Sequence, residues 1–306
     1  MNILITGGKG QLGTELVKCF ERGSTELGTP DILKSENNVR AIDVDELDIT
    51  DINAVREFFR ENAFDCVINC AAFTNVDGCE TSFDAAFKVN AIGARNLAMA
   101  CRDCGGKLIH VSTDYVFSGD GSTPRSECDL PAPKSAYGST KYLGEQYVRE
   151  FCPKYFIVRT AWLYGYYGKN FVKTMINAGR KFGKLTVVND QRGNPTNAAD
   201  LAHHLIKLID SEEYGVYHAT GAGECSWYDF AAEIIRLAGV NAEVSPCTSA
   251  EYSAAHPEAA DRPFYSALDN AMLRVTVGDE FRPWQEALAC FMKNFRETEE
   301  FGNLGK

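Results

Sequence analysis

Basic charge is scarce in this chain. Its 306 residues carry 31 Lys and Arg against 42 Asp and Glu, a formal net charge of −11. A nucleic-acid or anionic-membrane surface needs a basic footprint, so neither partner is expected. A small phosphorylated ligand needs only local donors and stays open. No apolar run approaches the ~20 residues that span a bilayer. The opening MNILITGG has no charged segment followed by a long apolar stretch and a small-residue cleavage site, so a mature cytoplasmic protein is expected. Histidine is sparse, with five in all. Cys101-x-x-Cys104 has no second Cys or His pair at ligand spacing, and no metal is expected. Cysteine itself is plentiful, but 11 is an odd count in a chain without an export signal. Reduced thiols packed as small core residues are the expectation. Internal repeats and low-complexity tracts are absent too.

What is present is an alternation. Short β-branched runs, ILIT (3–6), VRAID (39–43), CVINC (66–70), KLIHVS (107–112) and YFIVRT (155–160), alternate with segments of helical period at 11–22, 51–62, 83–104, 135–151 and 169–182. This predicts an α/β fold with a doubly wound parallel (Rossmann) sheet buried on both faces. Asp51 is placed to cap the second helix. The polar stretch 23–38 reads as a solvated insertion before the second strand. From about residue 185 the rhythm loosens into LTVVND, a helix near 199–211, GVYHAT, a helix at 226–239 and a last helix beginning near Pro283. Gly, Ala and Pro clusters at 245–265 read as loops. Residues 1–165 are expected to form a dinucleotide-binding core. Residues 166–306 are expected to be mainly a smaller mixed α/β substrate-binding region, with some segments returning to the core.

TGGKGQLG (6–13) follows a predicted strand and opens a predicted helix, and reads either as Gly7-x-x-Gly10-x-x-Gly13 or as Gly8-x-Gly10-x-x-Gly13. Glycines at that spacing let a turn tighten and a pyrophosphate approach the helix N-terminus, although a tight turn alone explains them too. Asp43, ending the second strand, is a natural acceptor for an adenine-ribose hydroxyl or else a solvated carboxylate. Asp48 and Ile49 could accept from and cover the adenine, or could be a turn residue and a core residue. Ala71 and Ala72, after the third strand, leave room for close approach. Ser112, Thr113, Asp114 and Tyr115 end the fourth strand at the same carboxyl edge. In SAYGSTKYLGEQ (135–146), Tyr137 and Lys141 share one helical face with Glu145 a turn further on. An ammonium beside the phenol is expected to lower its pKa from about 10, toward a proton donor for neutral pH. Such a pair is weak by itself, and its weight comes from Thr113 and the glycine motif upstream. Trp162, just after the fifth strand, could stack on a sugar or fill a core. Arg262 and Lys169 could meet a diphosphate or remain solvated.

TGGKGQLG, LDIT, AAFTNVDGCE, VSTDYVF, YGSTK, RTAWLYG, NDQRGNPT and RPFYSALD occur in this order along nearly the whole chain. In them the chain resembles the extended short-chain dehydrogenases/reductases and, more narrowly, the dTDP-4-dehydrorhamnose reductases. The resemblance implies a catalytic set of Thr113, Tyr137 and Lys141. It implies NADPH or NADH held by Gly7, Gly10, Gln11, Leu12, Gly13, Asp43, Asp48, Ile49, Ala71, Ala72, Phe73 and Thr74, with Tyr137 and Lys141. A sugar nucleotide would meet Val76, Thr113, Asp114, Tyr115, Tyr137 and Trp162. The reaction implied is reduction of dTDP-4-dehydro-6-deoxy-L-mannose to dTDP-L-rhamnose by a monomer or homodimer. A nucleotide-sugar epimerase or dehydratase, or a non-catalytic subunit of the same fold, is the alternative. The chain departs from the family pattern at Ala267 and Met272, where basic residues are usual.

Overall fold

The computed structural model describes residues 1–257 and 259–305. Strands β1 (Asn2–Thr6), β2 (Asn38–Ile42), β3 (Cys66–Asn69), β4 (Lys107–Thr113), β5 (Tyr155–Thr160) and β6 (Gly215–His218) form one sheet in the order β6-β5-β4-β3-β1-β2. Every neighbouring pair is parallel. Chain direction across the sheet reverses between β1 and β3, the crevice where open α/β sheets take ligands.

The strands read as apolar runs because both faces are covered. Ile3 and Ile5 of β1, with Ile68, Ile109 and Phe156, pack under helix α1 (Gln11–Arg22) and the helix Ala198–Asp210. Leu4, Val67, Leu108 and Ile157 face the opposite way, onto Val55, Phe59, Leu97 and Val148. At roughly 1.5–3 kcal/mol for each large apolar side chain taken from water, these two layers hold the sheet. Thus β6 and the helix Ala198–Asp210, from the irregular half of the sequence, return to the sheet. A separate cluster joins Tyr164, Ile176, Phe230, Trp284, Phe291 and Phe295 beside it.

Three local expectations change. The stretch 23–38 is not wholly solvated: a 3-10 turn at Asp31–Lys34 sinks Ile32 and Leu33 into the core against the helix Ala198–Asp210, since a lone apolar pair in a polar stretch still gains by burial. Within 245–265, Glu243–Cys247 is a strand pairing in parallel with Lys184–Val188, followed by a helix at Ser249–Ala255. Pro246 hides that strand in the sequence, and the two-stranded ribbon tolerates it because each strand is an edge. The helical stretch 83–104 contains a wide π-type turn at Lys88–Gly93, which carries the buried Asn90. Asn90 Nδ2 donates to Phe73 O and to the Thr140 hydroxyl, and Oδ1 accepts from Phe73 N.

That turn lies against Gly144 of the helix Ala136–Phe151, where a Cβ would sit 2.3 Å from Asn90 O. Gly144→Ala is therefore expected to destabilise the protein by about 1–3 kcal/mol through overpacking, outweighing the ~1 kcal/mol that alanine gains in a helix. Equilibrium urea unfolding checks this; a stabilised variant overturns the close-contact account.

Candidate active site

The end of β1 and the start of α1 form a cradle. Gly7 has φ +68, and a Cβ there would meet Ala71 N at 2.7 Å. A Cβ on Gly13 would lie 2.2 Å from Gly7 O. Gly10 caps α1 with no side-chain hydrogen bond and the first turn has no acidic residue, so the opening amides of the helix remain able to take an anion. Asp43 borders the same cleft from the end of β2: its Oδ2 accepts from Lys9 N (3.1 Å) and its Oδ1 from Val44 N (2.8 Å). Asp48 Oδ1 accepts from Thr50 N in a turn, while Ile49 is buried in the core. This core residue also borders the cleft. Across the crevice, Asn69 Oδ1 accepts from Ala71 N and Asn90 clasps Phe73, laying 71–74 along the wall. These features fit a dinucleotide.

Ser135 caps the helix Ala136–Phe151 by accepting from Gly138 N (3.1 Å), which sets Tyr137 in the first turn and Lys141 in the second. The Tyr137 ring meets Tyr115 edge-on at 5.5 Å. The Thr113 hydroxyl donates to Asp114 Oδ1 (2.9 Å) and accepts from Tyr115 N (3.2 Å). Burial pushes the Asp114 carboxyl up to about 6. The expected tuning of phenol by ammonium differs in this structure. Burial pushes the Tyr137 phenol above its usual range, with the Thr113 hydroxyl pulling the other way and Lys141 taking no part. Lys141 shares the helical face, but its stem runs to the sheet and Nζ donates to Val111 O at 2.7 Å. Burial pulls that ammonium down to about 8, against the opposing pull of Glu145.

On the other side, Trp162 adopts φ +48, the one positive φ outside glycine among the described residues. Its indole stacks on Trp227 with centroids 3.5 Å apart and planes 8° from parallel, and Trp227 leans on Phe171 at 4.5 Å. A Cβ on Gly193 would strike the Trp162 ring at 2.5 Å. Such a backbone persists only where its surroundings over-determine it. Arg262 reaches the cleft and pairs with Asp77 at 3.5 Å. Gln11 Nε2 donates to Leu163 O (3.3 Å) and its Oε1 accepts from Asn170 Nδ2 (2.9 Å), tying the glycine turn to the loop that carries Gly168 and Lys169.

The catalytic, cofactor and sugar-nucleotide candidates named from the sequence, from Gly7 through Asp43, Ala72, Val76, Thr113, Tyr137 and Lys141 to Trp162, border one cleft of about 1010 Å³. Sequence reasoning missed Trp227, which looks like an ordinary helix residue, and Asn90, whose role depends on the π-type turn. Among the described residues no group of three or more His, Cys, Asp or Glu side chains is arranged to hold a metal ion, and no helix is long and apolar enough to cross a membrane.

The segment after β2 carries Asp43, Asp45 and Glu46, with Lys9 paired to Asp45, so an adenine ribose bound beside Asp43 would face net negative charge. An extra phosphate on the ribose is disfavoured there. NADH is therefore expected to serve at least as well as NADPH in kcat/KM, and Asp43→Ala to shift the ratio toward NADPH. A strong NADPH preference unchanged by Asp43→Ala overturns this assignment.

The family described as "RmlD substrate binding domain" matches residues 1–297. The structure is similar to the crystal structure of a dTDP-4-dehydrorhamnose reductase from Clostridium acetobutylicum, with 48% identity, TM-score 0.90, and coverage of 97% of this chain and 100% of that one. The Bacillus anthracis dTDP-4-dehydrorhamnose reductase in complex with NADP is similar at 43% identity and TM-score 0.87, over 96% of this chain and 99% of that one. A dTDP-4-keto-6-deoxy-D-glucose reductase from Streptomyces niveus is 39% identical over 287 residues, 93% of this chain and 94% of the relative. The glycine cradle, the Thr113, Tyr137 and Lys141 edge and these full-length matches together make the chain a member of the RmlD substrate-binding-domain family.

Proposed function

We propose that this protein is an NAD(P)H-dependent reductase that converts dTDP-4-dehydro-6-deoxy-L-mannose to dTDP-L-rhamnose. The observation that carries the reading is the convergence of Thr113, Tyr137 and Lys141 on the carboxyl edge of the sheet, in the same cleft as the glycine turn. Gly7, Gly10, Gln11, Leu12 and Gly13 hold the pyrophosphate, Asp43, Asp48 and Ile49 the adenosine, and Ala71, Ala72, Phe73 and Thr74 the wall beside it. When bound, the reduced nicotinamide supplies the hydride. Tyr137 donates a proton to the sugar oxygen that was the ketone, and Thr113 positions that oxygen. Lys141 binds the nicotinamide ribose. Val76, Asp114, Tyr115 and the Trp162 indole border the sugar nucleotide, with Arg262 and Lys169 toward its diphosphate. Residues 166–306 supply most of this substrate side.

The proposed setting is a cytoplasmic monomer or homodimer, its 11 cysteines all free thiols. The relative that reduces dTDP-4-keto-6-deoxy-D-glucose motivates a comparison of the two 4-keto sugars. An epimerase regenerates its cofactor within each turnover, whereas a reductase consumes reduced cofactor stoichiometrically. Loss of NAD(P)H absorbance with the 4-keto-L-mannose nucleotide, with dTDP-L-rhamnose identified as product, is the expected result; product without net cofactor oxidation overturns it.

Tyr137→Phe is expected to bind NAD(P)H almost normally and lose on the order of 10²–10⁴ in turnover. Lys141→Met is expected to lose turnover and cofactor affinity together at every pH. Near-normal single-turnover rates for Tyr137→Phe, with chemistry limiting, overturn its role as proton donor.

A further inference from the structure

Beneath the cleft lies a buried ionic network that the reduction does not use directly. Glu145, with a side chain 1% exposed, sits one helical turn beyond Lys141. Its Oε1 accepts from the Ser112 hydroxyl at 2.5 Å and from Arg159 Nε at 2.9 Å, and its Oε2 accepts from a terminal Arg159 nitrogen at 2.7 Å. Arg159, 3% exposed, also leans on His218 Nε2 at 3.4 Å. His218 Nδ1 donates to the carbonyls of Arg125 and Asp269, which leaves Nε2 as the acceptor, and burial beside Arg159 keeps this imidazole neutral, down to about 3.

We propose that Glu145 is a positioning residue that keeps Lys141 protonated while clamping its helix to the ends of β4 and β5. The geometry has two parts. Ser112 is the neighbour of Thr113, so the Ser112–Glu145 hydrogen bond sets the height of the Tyr137 and Lys141 helix over the residue that positions the ketone. The second part is charge. Lys141 is 2% exposed, and its ammonium donates to a neutral carbonyl, that of Val111.

Among the groups around Lys141, Glu145 is the carboxylate that stands one helical turn away and pairs with Arg159. On β4, His110 is buried and neutral, and the Lys141 charge holds it so. At the end of β3, burial pushes the Cys70 thiol up to about 12. Tyr137, on the same helix, is pushed up by burial. From the elements packed on the outside, Glu80 accepts from Ala136 N, Cys79 acts on Tyr137, Arg95 lies over Tyr147 and Lys88 is exposed. Arg159 on β5 is paired with the same carboxylate. The Glu145 carboxylate thus faces two cations, and against the larger pull of burial, which takes Lys141 down to about 8, it favours the ammonium.

The inference rests on Lys141 acting as a cation beside the cofactor, which Lys141→Met tests separately. The experiment is the pH profile of kcat/KM under conditions where a deuterium isotope effect from labelled NADH shows that hydride transfer limits the rate. Because Lys141 acts in its protonated form, activity falls as pH rises through its pKa, and removal of a nearby negative charge moves that limb down. Glu145→Gln is expected to shift the alkaline limb to lower pH by about one unit, with activity largely recovered at the acid end. Glu145→Asp, which keeps the charge and loosens the clamp, is expected to lower the rate with the limb in place. A Glu145→Gln rate reduced by one factor at every pH overturns the proposal and leaves only a structural clamp. Should Glu145→Gln fail to fold, carbon NMR of ε-labelled lysine in the wild-type protein, assigned with Lys141→Arg, decides. A Lys141 titration near 8 supports the proposal, and one above 10 removes the need for Glu145.

Discussion

Four parallel strands whose carboxyl ends open on the same edge of the sheet are the constraint on which the cleft depends. The register pairs Thr6 with Asn69 and Asn69 with His110, so β1 and β3 end level, while β4 and β5 run three residues further and end together at Thr113 and Thr160. The Gly7 turn, the Ala71 wall and the Thr113 hydroxyl therefore emerge along one edge. Both faces of the sheet are already committed to apolar layers, so this edge is where a polar ligand meets unpaired backbone donors without costly burial. Helix α1 then ends its opening amides in the crevice, where their partial positive charge favours phosphate.

Polar groups below the cleft are satisfied in chains rather than pairs. The Thr6 hydroxyl donates to Asn69 Oδ1 (2.7 Å) and Asn69 Nδ2 meets His110 Nδ1 (2.9 Å), so β1, β3 and β4 are cross-linked just under the cofactor wall. Ser112, Glu145, Arg159 and His218 do the same for β4, β5 and β6. A buried ion pair is weak evidence for stability in itself, yet loss of one partner costs about 3–5 kcal/mol. Networks of this kind hold geometry: they allow one register and one helix height. On the substrate side the corresponding devices are steric, with Gly193 making room for the Trp162 indole and Trp227 flooring it. The Gln11 amide links the two sides, because it is fixed at both ends to the loop 163–170.

Local signals determined a large share of this protein. The sheet was legible because strands buried on both faces must be apolar runs, and the glycine turn because only glycine permits Gly7's positive φ and Gly13's contact with Gly7 O. Thr113, Tyr137 and Lys141 were legible because each stands at a readable place, a strand end or a helix start. Tertiary structure decided the rest. Ile32 and Leu33 are core only because a distant helix lies over them, and Glu243–Cys247 is a strand only because Lys184–Val188 is there to pair with. Asn90 works through a π-type turn, and Trp227 through an indole 65 positions earlier. Lys141 shows the division most plainly. Helical spacing put it on one face with Tyr137, but the direction of its stem and the strength of its acidity depend on Val111 O, on burial and on Glu145. A charge takes its energy from the dielectric and partners that the fold assembles around it, and no sequence spacing carries that information.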